Sequence, residues 1–240
     1  MKIIAFILTK NNKKLIIKAI NKIPSCINDF FISDDNSSDG IEIFCKTKNI
    51  NIYKNQTQNN GYGSNVKNAL KIAFQNYNAD YAVEIHGDGA QFNPLATYDA
   101  INLLKKDKID LIIGSRFLNL KDNLKLGYPI SRMVPNFIIS NIEKRLLNIN
   151  ISDFHSGFRV YSRKLYSILD VEEFSDDYLF SFELIIQSKE NNLKIGEVPV
   201  LCDYISEHTS HKLFGNNSAF TYQLKTFKLI YHYFVKKLLK

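Results

Sequence analysis

From Lys2 to Gly114, short apolar β-type runs alternate with segments of helical spacing, and no other feature limits the possible folds as much. The β-type runs are Lys2 to Leu8, Phe30 to Ser33, Asn51 to Lys54, Tyr81 to Ile85 and Ile109 to Ile113. Between them, Leu15, Ala19, Ile20 and Ile23 give Lys14 to Ile23 a helical stripe, and further helices are expected near Gly40 to Lys48 and over Ser64 to Tyr77. Pro94 suits the first turn of another helix, running to about Lys105. Such alternation predicts a largely parallel, doubly wound α/β sheet, whose binding sites lie at the carboxyl ends of the strands where their order reverses.

After Arg116 the rhythm loosens. Phe117 to Pro129 reads as a loop, Arg132 to Leu147 as a helix, Asp153 to Tyr161 as irregular or strand-like, and Leu179 to Asn191 as a helix. Lys194 to Leu201 reads as a strand that Pro199 places at an edge or ends. Thr221 to Lys240 interleaves aromatic and aliphatic residues with lysines, a pattern for a helix that lies in a membrane interface, packs on its own domain or meets a second subunit in a homo-oligomer. Met1 to Leu8 reads as a first strand because a polar, basic run follows at once. No stretch approaches the ~20 apolar residues of a spanning helix, so membrane contact is expected only as peripheral.

A length of 240 residues fits one α/β domain with a C-terminal extension. The formal charge of +7 fits an anionic partner. Dispersed basic residues, with no recognition helix or zinc motif, argue against a nucleic-acid partner. Cys26, Cys45 and Cys202 lack metal-type pairing and read as free thiols in a reducing, cytoplasmic setting.

Three constellations carry chemistry. Ser33 to Gly40 is an acidic turn after the second strand, where a carboxylate can accept from ribose hydroxyls or a base N–H, or simply cap the next helix. Asn60-Gly61-Tyr62-Gly63 opens a helix, and its glycines either let the backbone approach a phosphate or form a plain turn. His86-Gly87-Asp88-Gly89 closes the fourth strand and presents Asp88 between glycines, as a tight turn or as a carboxylate for a hard cation that a diphosphate also binds. Glu84, on the strand face opposite Tyr81, Val83 and Ile85, is expected to pair with a basic residue.

Taken in order with Gly114-Ser115-Arg116, Asp153, Ser156-Gly157-Phe158-Arg159 and Glu197-Val198-Pro199-Val200, these motifs resemble the inverting family 2 glycosyltransferases. The branch most similar is the dolichyl-phosphate mannose synthase-like and polyprenyl-phosphate glycosyltransferases, over about residues 2 to 212. The resemblance implies a GT-A (Rossmann-like) fold, with residues 1–116 as the nucleotide-sugar half, 117–212 as the acceptor side and 213–240 as the C-terminal helix. It also implies a nucleotide-diphosphate sugar donor, a polyprenyl-phosphate or glycan acceptor in cell-envelope glycan synthesis, and an Mg²⁺ or Mn²⁺ cofactor. Thr9, Asp34, Asp35, Ser37, Gly61, Gly63, Gly87 and Asp88 would surround the donor, with Asp88 and His86 toward the metal. Asp153 falls at a candidate catalytic carboxylate beside Asp88's role, and Arg116, Arg132, Arg159 and Lys212 fall where phosphates of acceptor or donor are held. Arginine suits that task because its planar fork pairs with phosphate oxygens.

Three departures from the family pattern stand out, one of them Gln91, which sits one place further from Asp88 than in the family. His86 replaces the first acid of the usual Asp-x-Asp, leaving it as a metal ligand, a donor to phosphate or a spectator, and Thr9-Lys10-Asn11-Asn12 is a degenerate first motif. The His86 exchange opens a rival reading, a non-catalytic nucleotide-sugar-binding or regulatory protein. The expected location is the cytoplasm, at the inner face of the membrane if the acceptor is a lipid.

Overall fold

The computed structural model describes residues 1–56, 61–88, 92–204 and 219–238. Asn60, Gly89, Gln91 and Lys212, which the sequence reading singled out, lie outside them. The chain runs β1 (Ile3–Thr9), α1 (Lys13–Asn21), β2 (Asp29–Asp34), α2 (Ile41–Thr47), β3 (Ile52–Lys54), α3 (Tyr62–Lys71), β4 (Tyr81–His86), α4 (Ala96–Lys106) and β5 (Leu111–Ser115). It continues through α5 (Leu120–Lys125), α6 (Ile130–Leu147), β6 (Arg159–Ser162), α7 (Arg163–Ile168), α8 (Phe180–Glu190), β7 (Ile195–Pro199) and α9 (Ala219–Leu238). A π-helical turn, Ile72–Asn76, prolongs α3.

The strands form one sheet in the order β3-β2-β1-β4-β6-β5-β7, all parallel to their neighbours except β6, which runs antiparallel between β4 and β5. All of β1 is buried because both faces are covered, as expected of a central parallel strand. Ile4, Phe6 and Leu8 join Val66, Leu70, Tyr161, Phe180 and Ile185 on one face, while Ile3, Ala5 and Ile7 join Ile16, Ile41, Val83 and Ile101 on the other. Pro199 is the last residue of β7 at the sheet edge, where its missing N–H costs no ladder bond.

Two segments differ from the sequence reading. The expected loop at Phe117 to Pro129 contains α5, which has no apolar stripe to announce it. It is held instead by the buried Asn123, whose amide donates to Arg116 O and Val200 O and accepts from Cys202 N. The irregular or strand-like stretch at Asp153 to Tyr161 becomes β6 only from Arg159, after a coil that returns to the sheet.

α9 packs on the domain through Thr226, Ile230, Leu229, Tyr233 and Phe234, with Leu224 and Tyr231 outward. Cys26, Cys45 and Cys202 are free thiols.

Candidate active site

The register brings three strand ends to one lip. Thr9 lies beside Asp34, Leu8 lies beside His86, and Gly87 N donates to Leu8 O at 2.8 Å. Strands are spaced about 4.8 Å apart, so the β2 and β4 ends, with β1 between them, are about 10 Å apart. Asp34 is spent on its own turn, accepting from Ser37 N and Ser37 Oγ, while Ser37 Oγ also accepts from Asn11 N. Asp35 gathers partners from three loops: Lys10 Nζ at 2.7 Å, Asn55 Nδ2 at 3.0 Å and Gly61 N at 3.4 Å. Thr9 Oγ1 is buried beneath Gly87 and has no hydrogen-bond partner among the described residues. A side chain at Gly87 would strike Leu8 O at 2.5 Å, so the glycine is required for β1 and β4 to close at the lip.

The glycines of the Gly61-Tyr62-Gly63 turn are packed closely against another loop. A Cβ at Gly61 would stand 2.4 Å from Asp176 O, and one at Gly63 would stand 2.2 Å from Ser175 O. They make room for the backbone of another loop. Ser64 N, in the first turn of α3, donates to Asp176 O at 3.1 Å. The buried Lys67 Nζ fastens the same loop through Glu172 O and Asp176 Oδ1, both at 3.0 Å, and through Phe174 O. Segment 172–177 thus docks on the start of α3, where a helix N-terminus would otherwise offer its N–H groups to an anion.

Beneath the lip, the buried Glu84 accepts from Tyr62 Oη at 2.6 Å and from Tyr161 Oη, and lies 3.0 Å from His86 Nε2. Its basic partner is therefore His86, with the buried Arg159 nearby. Burial opposes the charged ring, but the hydrogen bond and charge of Glu84 outweigh it and hold His86 above its usual pKa. Burial likewise opposes the Glu84 charge, and His86 and Arg159 outweigh it, so Glu84 is held below the usual range. The ring of His86 occupies the space left by Gly157, where a Cβ would come within 2.7 Å of it.

At the end of β5, Arg116 and Asp153 form a buried two-point ion pair, Nε to Oδ2 at 2.7 Å and Nη2 to Oδ1 at 2.8 Å. Arg116 N and His155 N also donate to this carboxylate, at 3.1 Å each. The remaining Arg116 Nη1 reaches Tyr204 Oη at 3.2 Å, and the guanidinium lies 5.3 Å from the centre of the Tyr128 ring. Burial works against the Asp153 charge, but the charge and hydrogen bonds of Arg116 outweigh it and hold the carboxyl below its usual range. Behind the pair, the buried Glu143 of α6 lies 2.8 Å from His155 Nε2, and His155 Nδ1 lies 3.3 Å from Tyr222 Oη of α9.

The sequence model described as "Glycosyl transferase family 2" matches residues 5–169. The chain belongs to glycosyltransferase family 2. This glycosyltransferase is 31% identical over 147 residues to the UDP-N-acetylglucosamine–dolichyl-phosphate N-acetylglucosaminyltransferase of Methanococcus voltae, a match covering 61% of the chain but only 57% of that relative's length. It is 27% identical over 148 residues to the low-salt glycan biosynthesis hexosyltransferase Agl6 of Haloferax volcanii, covering 58% of the chain and 32% of that protein. Among solved structures, the UDP complex of glucosyl-3-phosphoglycerate synthase from Mycobacterium tuberculosis superposes with a TM-score of 0.64 at 16% identity, covering 97% of the chain and 79% of the synthase. Another structure of that synthase, with Mn²⁺, UDP and glucosyl-3-phosphoglycerate, gives a TM-score of 0.62 at 16% identity, covering 84% and 71%. The fold is GT-A.

In this glycosyltransferase, Thr9, Asp34, Asp35, Ser37, His86, Gly87 and the half-buried Asp88 share one lip, with Gly61 and Gly63 at its side. Of the residues expected at phosphates, Arg116 is engaged by Asp153 and Tyr204, Arg159 is 1% exposed beneath the lip with Nη1 on Tyr62 Oη, and Arg132 is half-buried on α6. The Glu143–His155 pair and the Tyr62 and Tyr161 contacts to Glu84 escaped the sequence reading. For Glu84 the sequence signal is a carboxylate inside an apolar strand, which demands donors without saying where they come from. Among the described residues, no three His, Cys, Asp or Glu side chains form a self-sufficient metal cluster.

Proposed function

We propose that this glycosyltransferase moves a sugar, with inversion, from a nucleotide-diphosphate donor to an acceptor in cell-envelope glycan synthesis, and that the acceptor is a polyprenyl phosphate rather than a saccharide hydroxyl. The observation that carries the donor reading is that the Asp34-Asp35 turn and Asp88 follow the ends of β2 and β4, the two strands that flank β1. Their separation of about 10 Å suits a nucleoside diphosphate, with the nucleoside at Asp35 and the diphosphate at Asp88. The UDP complexes of the structural neighbour and the UDP-sugar named for the Methanococcus voltae relative support the same donor class.

A divalent ion fits this lip on one protein carboxylate. Hard cations accept few protein oxygens and take the rest from diphosphate and water, so Asp88 would hold it without a preformed cluster. When bound, the ion supplies positive charge against the departing diphosphate. His86 turns Nε2 toward Glu84, so it serves the lip as a ring fixed from below. Thr9 Oγ1, buried and without a partner among the described residues, is a further polar group for the donor.

The acceptor reading rests on the state of Asp153. A general base needs a free lone pair and a pKa near the working pH, whereas both Asp153 oxygens are committed to Arg116 and the carboxyl is held low. A phosphate acceptor arrives ionised and needs positioning rather than deprotonation. Arg132 and Lys212 are the candidates to meet that phosphate, with the Arg116–Asp153 pair shaping the acceptor side.

No described helix is long and apolar enough to cross a membrane. α6, however, turns Ile130, Val134, Phe137, Ile138, Ile142 and Leu146 outward, each at least 41% exposed, with Arg132, Lys144 and Arg145 on the same helix. That face suits peripheral contact with the inner surface of a membrane holding a lipid acceptor.

A thermal-shift panel of UDP-, GDP- and dTDP-sugars with Mn²⁺, followed by nucleoside diphosphate release with a polyprenyl phosphate, tests the reading. One donor present at ~100 times its Kd should raise Tm by about 5 to 10 °C, and turnover should follow. Absence of any shift and any turnover would overturn it. Donor binding without turnover would favour the non-catalytic binding protein.

A further inference from the structure

The carboxylate of Glu197, half-buried on β7, closes a chain of hydrogen bonds that begins beside Arg116. Its Oε2 accepts from Ser152 N at 2.8 Å and lies 2.7 Å from Ser152 Oγ. Ser152 Oγ in turn lies 2.6 Å from the buried Ser115 Oγ, which accepts from Phe117 N at 3.2 Å and from Leu118 N at 3.3 Å. Glu197 stands opposite Ile113 in the β5–β7 ladder, so the sheet itself holds its backbone.

The direction of every bond in this chain follows from its carboxylate end. A carboxylate only accepts, so Ser152 spends its hydroxyl proton on Glu197. Ser152 Oγ then has only lone pairs for Ser115, whose own proton must point to it. Ser115 Oγ is left with lone pairs alone, and the two backbone N–H groups that follow Arg116 fill them. One carboxylate thereby orients two hydroxyls and a turn. Ser115–Ser152 and Arg116–Asp153 are successive rungs between the end of β5 and the coil before β6. Through the first rung, β7 fixes the two segments that carry the second.

We propose that Glu197 is a positioning residue for the acceptor, a role that rests on the acceptor reading given above. It acts through Ser152 and Ser115, holding the Arg116–Asp153 pair in the shape against which the acceptor phosphate is seated. Support of this kind matters for rate, because a displacement of about 1 Å at the reacting groups costs on the order of 10²-fold.

The test compares the wild type with Glu197→Ala, Glu197→Gln and Ser152→Ala. Nucleoside diphosphate release is followed against polyprenyl phosphate concentration, with Mn²⁺ and the panel's best nucleotide sugar saturating, and calorimetry gives the affinity for the nucleoside diphosphate. Glu197→Ala is expected to lower kcat/KM for the polyprenyl phosphate by about 10- to 100-fold, with nucleoside diphosphate affinity unchanged. Ser152→Ala breaks the chain at its middle link, so it should act in the same sense, and it carries the test if Glu197→Ala fails to fold. The amide oxygen of Glu197→Gln still accepts from both Ser152 donors, and that variant should recover most of the lost kcat/KM. Equal loss in Glu197→Gln and Glu197→Ala would make Glu197 a base and not a support. Nucleoside diphosphate affinity falling in step with turnover would reduce it to a residue of the fold, and an unchanged kcat/KM in Glu197→Ala would leave it idle. Each of these overturns the positioning role while the acceptor reading stands. A wild type that binds the donor but does not turn over polyprenyl phosphate would remove the acceptor reading, and the positioning role with it.

Discussion

Arg116 and Asp153, at the end of β5 and in the coil before β6, hold each other through two nearly equal contacts of 2.7 and 2.8 Å in a setting closed to solvent. A buried pair of this kind is costly to assemble and more costly to break from one side, because the surviving charge has no water to turn to.

Asp153→Asn is therefore expected to lower stability by about 3 to 5 kcal/mol, and urea denaturation at neutral pH measures it. The folded pKa of Asp153 lies below its unfolded value, so the pair's contribution is present above about pH 4. It fades as pH falls through the lowered folded value, and the gap between wild type and variant should narrow there. A variant as stable as the wild type at pH 7 but devoid of turnover would instead return Asp153 to the role of base.

His86→Asp, the change that restores an Asp-x-Asp pattern, should destabilise the chain rather than improve it. A second carboxylate would face Glu84 where His86 Nε2 now stands at 3.0 Å. The expected loss is about 2 kcal/mol, or a fall in Tm of roughly 4 to 8 °C, read by calorimetry at pH 6. Because the folded pKa of His86 is raised, its pairing contributes fully below about pH 6.5. That contribution is lost as pH rises through the raised value, so the difference between the two proteins should shrink above it. A variant with wild-type Tm at pH 6 would contradict the pairing.

Gly63→Ala is expected to cost about 1 to 3 kcal/mol in the ligand-free protein, since its Cβ would meet the Ser175 carbonyl at 2.2 Å. Hydrogen exchange over residues 172–178 should rise as the loop gives way. If the glycine served a phosphate and not the loop, the ligand-free protein would keep its Tm and only ligand affinity would fall.

The first five strands were legible because each is a short apolar run bounded by turn residues, and the strand ends then named the lip at Asp34, Asp35 and Asp88. What stayed hidden depends on contacts distant in sequence. α5 hangs on Asn123 reaching Val200 and Cys202, β6 is inserted by the register of Arg159 with Glu84, and the vacancy at Gly61 and Gly63 is filled by Ser175 and Asp176. Local pattern reports what a residue permits, and a glycine permits a phosphate and a carbonyl equally well. Arg116 and Asp153 each looked like a group waiting for substrate, because nothing in the spacing reveals that they answer one another.

The central claim is that Asp88 at the end of β4 serves the departing diphosphate. Its most direct test is release of nucleoside diphosphate from the preferred donor, with Mn²⁺ and a polyprenyl phosphate, by the wild type and by Asp88→Asn, alongside their melting temperatures. The expected result is a loss of about 10²-fold or more in turnover with Tm unchanged. Full turnover by Asp88→Asn, or wild-type turnover undiminished by excess chelator, would contradict it.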